Sequence, residues 1–117
     1  MYINIMKYAI ETFSALSDPI RLRCLSLLAV EGEVCICEFV YTLEEAQPKI
    51  SRHMKSLKDA GLVQSRKEAQ WMHFRISEHM SSWQEQAVGA AIVAMVDSEQ
   101  SKEDAKRLKT MKNRPPR

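Results

Sequence analysis

Apolar residues recur at three- and four-residue steps up to Gly61, and beyond it the period changes to alternation. That change fixes where helices give way to a sheet. Met6, Ile10, Phe13 and Leu16, with Ala9, predict a first helix over about residues 4–16. Ser17-Asp18-Pro19 is a capping residue followed by a proline suited to the first helical turn. The second helix then carries Ile20, Leu22, Leu25, Leu27, Leu28 and Val30 and stops at Gly32. Cys35 to Leu43 predicts a short third helix. Ala46-Gln47-Pro48 is another turn, and Ile50, Met54 and Leu57 place a fourth helix between it and Gly61. The segments from Leu62 to Lys67 and from Trp71 to Ile76, joined by Glu68-Ala69-Gln70, read as a β-hairpin with a charged tip. A last helix is expected from about Glu78 to at least Ser98.

This order is mainly α with a small β-hairpin, and it predicts a winged helix-turn-helix over residues 1–100. Residues 101–117 are expected to be a basic, partly disordered tail. The first and last helices are left over. The stretch from Ala87 to Val96 is too apolar around its circumference for a solitary surface helix, so the two are expected to form a homodimer interface. Two-fold symmetry of that kind matches double-stranded operator DNA with an inverted repeat.

Charge is concentrated. Lys49 to Arg75 carries +5, Lys102 to Arg117 another +5, and the remainder −8, for a net +2. Such concentration is the electrostatic footprint of a nucleic-acid face. On the fourth helix Gln47, Lys49, Ser51 and Arg52 are candidates for groove contacts, Gln reading adenine and Arg guanine. Lys49, Lys55 and Arg75 are expected at phosphates, and Arg66 and Lys67 lie on the hairpin. His53 and His73 fall in the same elements and are assigned hydrogen-bonding or phosphate roles. No apolar run is long enough to span a bilayer, and the first residues lack the order of a signal peptide, so a cytoplasmic location is expected. There is no nucleophile–base pattern, phosphate loop or acid pair, and an enzyme is not expected.

The remaining feature is Glu33-Val34-Cys35-Ile36-Cys37-Glu38-Phe39. Cys35 and Cys37 are too close to staple distant parts of a fold, and thiolates are soft ligands that select thiophilic ions. A helix N-terminus would favour their thiolate form. In a regular helix, however, residues i and i+2 point about 200° apart, so binding one ion requires an unwound or never fully helical first turn. Cys24 sits at an aliphatic position of the second helix and is expected to be a small core residue. Val40 cannot ligate, which leaves water, chloride or a small thiol to complete the coordination.

Ala15-Leu16-Ser17-Asp18-Pro19-Ile20-Arg21-Leu22, the Cys-x-Cys segment, Gln47-Pro48-Lys49-Ile50-Ser51-Arg52-His53, Ala60-Gly61-Leu62-Val63 and Arg66-Lys67 with Trp71 and Arg75 together resemble the ArsR/SmtB family of metal- and metalloid-responsive repressors, particularly its arsenic-responsive branch. The resemblance implies a dimeric repressor released from its operator when trivalent arsenic (arsenite) or antimony binds Cys35 and Cys37. The alternatives are a cadmium- or lead-responsive repressor, or a thiol-redox-responsive one, on the same fold. Three departures stand out: Val40 where many such members carry a third Cys, Ala46 where Ser is frequent, and Ala69 where Gly is frequent.

Overall fold

The computed structural model describes residues 2–117. Helix α1 spans Tyr2–Leu16 and α2 spans Pro19–Glu31. Asp18 starts α2 by accepting the Ile20 and Arg21 N–H groups at 2.8 and 3.1 Å, with Pro19 in the first turn where no N–H is needed. Gly32 ends the helix at φ +85°, a conformation that a side chain disfavours. A two-residue strand β1 (Val34–Cys35) leads into α3 (Ile36–Leu43), and α4 (Gln47–Asp59) follows. The hairpin is β2 (Val63–Glu68) and β3 (Trp71–Ile76), followed by α5 (Ser82–Val96) and α6 (Glu99–Lys109).

Strand order in the antiparallel sheet is β1-β3-β2. Val63 faces Ile76 and Glu68 faces Trp71 across the hairpin, while Val34 pairs with Phe74 and Cys35 with His73 on the other side of β3. The hairpin is the wing of a helix-turn-helix formed by α3 and α4. Phe39, Leu25, Leu28, Ile50, Met54, Leu57 and Leu62 are buried together and fix α4 and the wing against α2 and α3. Burial of each such side chain contributes roughly 1.5–3 kcal/mol, so the reading head sits on a shared core and not on a flexible stalk.

Three expectations are corrected. Cys35 is not helical: it lies in β1 with φ −84° and ψ 155°, and α3 begins one residue later. The last helix does not run on unbroken from Glu78: it begins at Ser82 and stops at Val96, and Ser98 caps a further helix by accepting the Ser101 N–H at 3.2 Å. Residues 101–109 belong to this α6 and not to a partly disordered tail. Ser101 contacts Ser26 at 2.8 Å, Asp104 forms a two-pronged bond with Arg23 at 2.8 and 3.0 Å, and Leu108 is fully buried. These contacts seat α6 on α2.

The apolar stripe of α1 stays outside the core. Ile5, Met6, Tyr8, Ile10 and Phe13 are all at least half exposed, and Val93 of α5 is 73% exposed. Among the described side chains of α1 only Thr12 and Ala15 are buried.

Candidate thiol site and nucleic-acid interface

Because Cys35 is extended and Cys37 lies in the first turn of α3, the two side chains converge. The Cys37 thiol donates to the Cys35 Sγ at 3.3 Å. The angular conflict of a regular helix is therefore absent, since the first turn is not helical at Cys35. Glu38 enforces this shape: its carboxylate reaches back to accept the Cys35 N–H at 2.7 Å, satisfying a donor at the helix start. Burial pushes the Cys37 thiol up to about 12, with the Cys35 thiol and the Glu38 carboxylate adding to the rise. The dipole of a short helix does not overcome these effects, contrary to the expectation of a thiolate. Cys24 has no exposed surface, and burial raises its thiol further still, as a core role requires.

The pair opens onto a cleft of about 400 Å³. Its walls are Cys35, Ile36 and Cys37 on one side, Gln47 and Ser51 of α4 on the second, and Gln70, Trp71 and Met72 of the wing on the third. Two soft donors in mutual contact at an open cleft suit a thiophilic ion, which both sulfurs could hold together. Among the described residues no group of three His, Cys, Asp or Glu side chains is placed to hold a metal ion. His79 and Asp97 lie at the two ends of the α5 region and join no such group.

The candidate DNA contacts divide by their present partners. Gln47, Ser51, Arg52 and Lys55 are exposed on α4, with Lys55 bound to Asp59 at 2.7 Å within the same helix. Lys49 is half-buried and paired with Glu45 at 3.1 Å. These intrahelical pairs are weak and leave both lysines free to turn to a phosphate. Lys67 is exposed on the wing, and Arg75 is exposed but paired with Glu78. Arg66 forks onto Glu33 at 2.7 and 2.9 Å and so ties the wing to the segment that precedes the thiols. That Arg66 hydrogen bond, reinforced by charge, holds the Glu33 carboxyl below its usual range.

The two histidines differ: His53 takes a hydrogen-bonding role, whereas the His73 ring has no hydrogen-bond partner among the described residues. His53 turns back onto α2, accepting from the Arg21 guanidinium at Nδ1 (3.1 Å) with Asp18 at 3.8 Å. His73 is fully buried in β3 and cannot meet a phosphate in this conformation. Ala46 precedes α4 without any side-chain cap bond, leaving first-turn N–H groups of α4 uncapped by a side chain. The sequence reading also missed Gln70 and Trp71 as walls of the thiol cleft. Their signal was the short hairpin tip, which brings β3 back beside β1.

A helix-turn-helix with a two-stranded wing, its second helix carrying an exposed polar and basic face, defines a DNA-binding transcriptional regulator. The chain belongs to the ArsR family of bacterial regulatory proteins, whose sequence profile matches residues 18–65. It is 40% identical over 105 residues to the arsenic resistance transcriptional regulator ArsR1 of Pseudomonas putida, covering 88% of this chain and 79% of that one. It is 36% identical over 107 residues to ArsR2 of the same organism, covering 92% and 91% of the two chains. Among solved structures, reduced HlyU from Vibrio cholerae aligns with a TM-score of 0.66 at 26% identity, over 80% of this chain and 95% of that one.

Proposed function

We propose that the protein is a cytoplasmic homodimeric repressor that leaves its operator when trivalent arsenic or antimony binds Cys35 and Cys37. The observation that carries this reading is the shared cleft: the thiols that would take the ion and Gln47 and Ser51 of α4 line the same cavity. An ion held by both sulfurs replaces the Cys37 S–H···Sγ contact at the start of α3, and α3 leads directly into α4. Small displacements of α4 break base-edge and phosphate contacts in both half-sites of a dimer together. Derepression by 100-fold needs only about 2.7 kcal/mol of differential affinity between the two states. Water, chloride or a small thiol completes the coordination.

In the DNA complex Gln47, Ser51 and Arg52 read the major groove, and Lys49, Lys55, Arg66, Lys67 and Arg75 approach the phosphates. His53 supports α4 through Arg21. The exposed apolar faces of α1 and α5 meet their counterparts in the second copy, which supplies the symmetry of an inverted-repeat operator. The relatives named for arsenic resistance support the choice of inducer.

Fluorescence anisotropy on operator DNA, titrated in turn with arsenite, antimonite, cadmium, zinc and peroxide, tests the reading. Arsenite and antimonite at micromolar concentration are expected to release the DNA, and Cys35→Ser or Cys37→Ser to keep DNA binding while losing the response. If arsenite leaves affinity unchanged while cadmium or peroxide abolishes it, the inducer is not a trivalent metalloid. Contact between the two thiols also favours a redox-responsive repressor, and peroxide is the arm that decides for it.

A further inference from the structure

Glu38 has no exposed surface, and its carboxylate accepts the Cys35 N–H at 2.7 Å and is bonded by the guanidinium groups of Arg114 and Arg117. Arg114 and Arg117 both come from the segment after α6. Arg114 also donates to Glu31 at 3.0 Å, and Arg117 lies 3.6 Å from Glu33. The preceding residues grip the same region. Arg107 donates to the Tyr41 carbonyl at 3.0 Å with its guanidinium over the Tyr41 ring, and Thr110 bonds the Tyr41 hydroxyl. Asn113 turns the chain at φ 62°, and Pro115 is buried. These contacts land on α3, on Glu33 before it and on Glu31 at the end of α2.

We propose that Arg114 and Arg117 are positioning residues for the thiol site: by neutralising buried Glu38 they keep its carboxylate on the Cys35 N–H and so hold Cys35 and Cys37 side by side. The inference rests on the reading of the pair as an ion site. A carboxylate without those guanidiniums is an unpaired buried charge, and the least costly relief is rotation into water. Rotation releases the Cys35 N–H, and with it the extended conformation that brings the two sulfur atoms together. The basic charge of the C-terminal segment is therefore committed in part to the sensing loop and not to a nucleic-acid face. Neither arginine bonds a residue of α4 or the wing, so their loss is expected to leave operator affinity nearly unchanged.

The test is a double-mutant cycle on the full chain. Arg114→Ala/Arg117→Ala, Glu38→Gln and their combination are compared by three readouts: hydrogen exchange of the Cys35 amide, near-ultraviolet As–S absorbance on titration with arsenite, and operator affinity. The arginine variant is expected to exchange its Cys35 amide at least tenfold faster and to need at least tenfold more arsenite, with operator affinity within about twofold of the parent. In the Glu38→Gln background, where a neutral amide oxygen still accepts the Cys35 N–H, removing the arginines should change neither readout further. Equal effects of the arginine substitutions in both backgrounds, or an unchanged Cys35 amide in the arginine variant, would overturn the assignment. A parent protein that shows no As–S absorbance refutes arsenite as the ligand, and the amide exchange still decides the role of the arginines.

Discussion

Cys24 and Cys37 experience burial to different ends. Cys24 lies inside the core of α2 with no exposed surface, whereas Cys37 is half-buried at the mouth of a cleft. Cys24→Ala should therefore cost about 1 kcal/mol of stability and leave the ion response intact. A thermal melt and the operator titration check the two halves of that statement, and a lost response would give Cys24 a functional role. The raised Cys37 thiol makes a second expectation, because that sulfur carries its proton at neutral pH. If arsenite is the inducer as proposed, arsenious acid reacts there by condensation: an As–S bond forms, an As–O bond breaks, and hydroxyl and thiol proton leave as water. Arsenite affinity should then stay nearly flat between about pH 6 and 8, whereas a divalent cation gains about tenfold per pH unit for each protonated thiol it displaces. Competition titrations at three pH values separate the two classes of ion. A steep rise for arsenite would mean that condensation at a protonated thiol is not the binding step.

At the level of elements, the wing tip holds a residue out of place. Ala69 adopts φ 54°, a left-handed conformation that disfavours a β-carbon. Ala69→Gly should stabilise the fold by up to about 1 kcal/mol, seen as a higher melting temperature with an unchanged arsenite response. The helices α2 and α4 were legible in the sequence because Asp18-Pro19, Gly32, Pro48 and Gly61 mark their ends and the core residues between keep a helical period. The wing was legible from its alternation. By contrast β1 was not, since two residues carry no period, and its existence depends on β3 folding back beside it. The same blindness hid the geometry of the thiols, because that pairing, together with the Glu38 bond to the Cys35 N–H, keeps Cys35 out of the helix. Helix α6 is nearly all polar, and its buried face reduces to Ser101, Asp104 and Leu108. Their spacing of three and four was visible, but the partners that make a serine and an aspartate buriable, Ser26 and Arg23, lie far away in the chain.

At the level of the whole molecule, α1 and α5 leave apolar surface uncovered. Phe13 packs against Trp83 with ring centroids 6.5 Å apart, and both remain partly exposed beside Ile10. Phe13→Glu should shift the protein from dimer to monomer in sedimentation at micromolar concentration and weaken operator binding in proportion. A wild-type chain that is already monomeric at that concentration would remove α1 from the interface. The acidic cluster contributes to the pH dependence of stability. Glu33 and Glu38 have carboxyls held below their ordinary values, so their contribution is fully present above about pH 4.3, the ordinary glutamate value, and is lost as pH falls through the lower folded values. The melting temperature should hold between neutrality and about pH 5 and then decline on further acidification, more gently in Glu38→Gln.

The short strand β1 has one more consequence. Its pairing with β3 runs through main-chain groups, Val34 to Phe74 and Cys35 to His73, and asks nothing of the Cys35 side chain. Under the proposed function the side chains at 35 and 37 are thus exchangeable parts on a fixed frame: other ligating residues in those places would answer to another chemical signal while the same strand pairing joined them to the wing. What such a repressor would detect and how it would report the detection are then separable traits, open to independent evolutionary change.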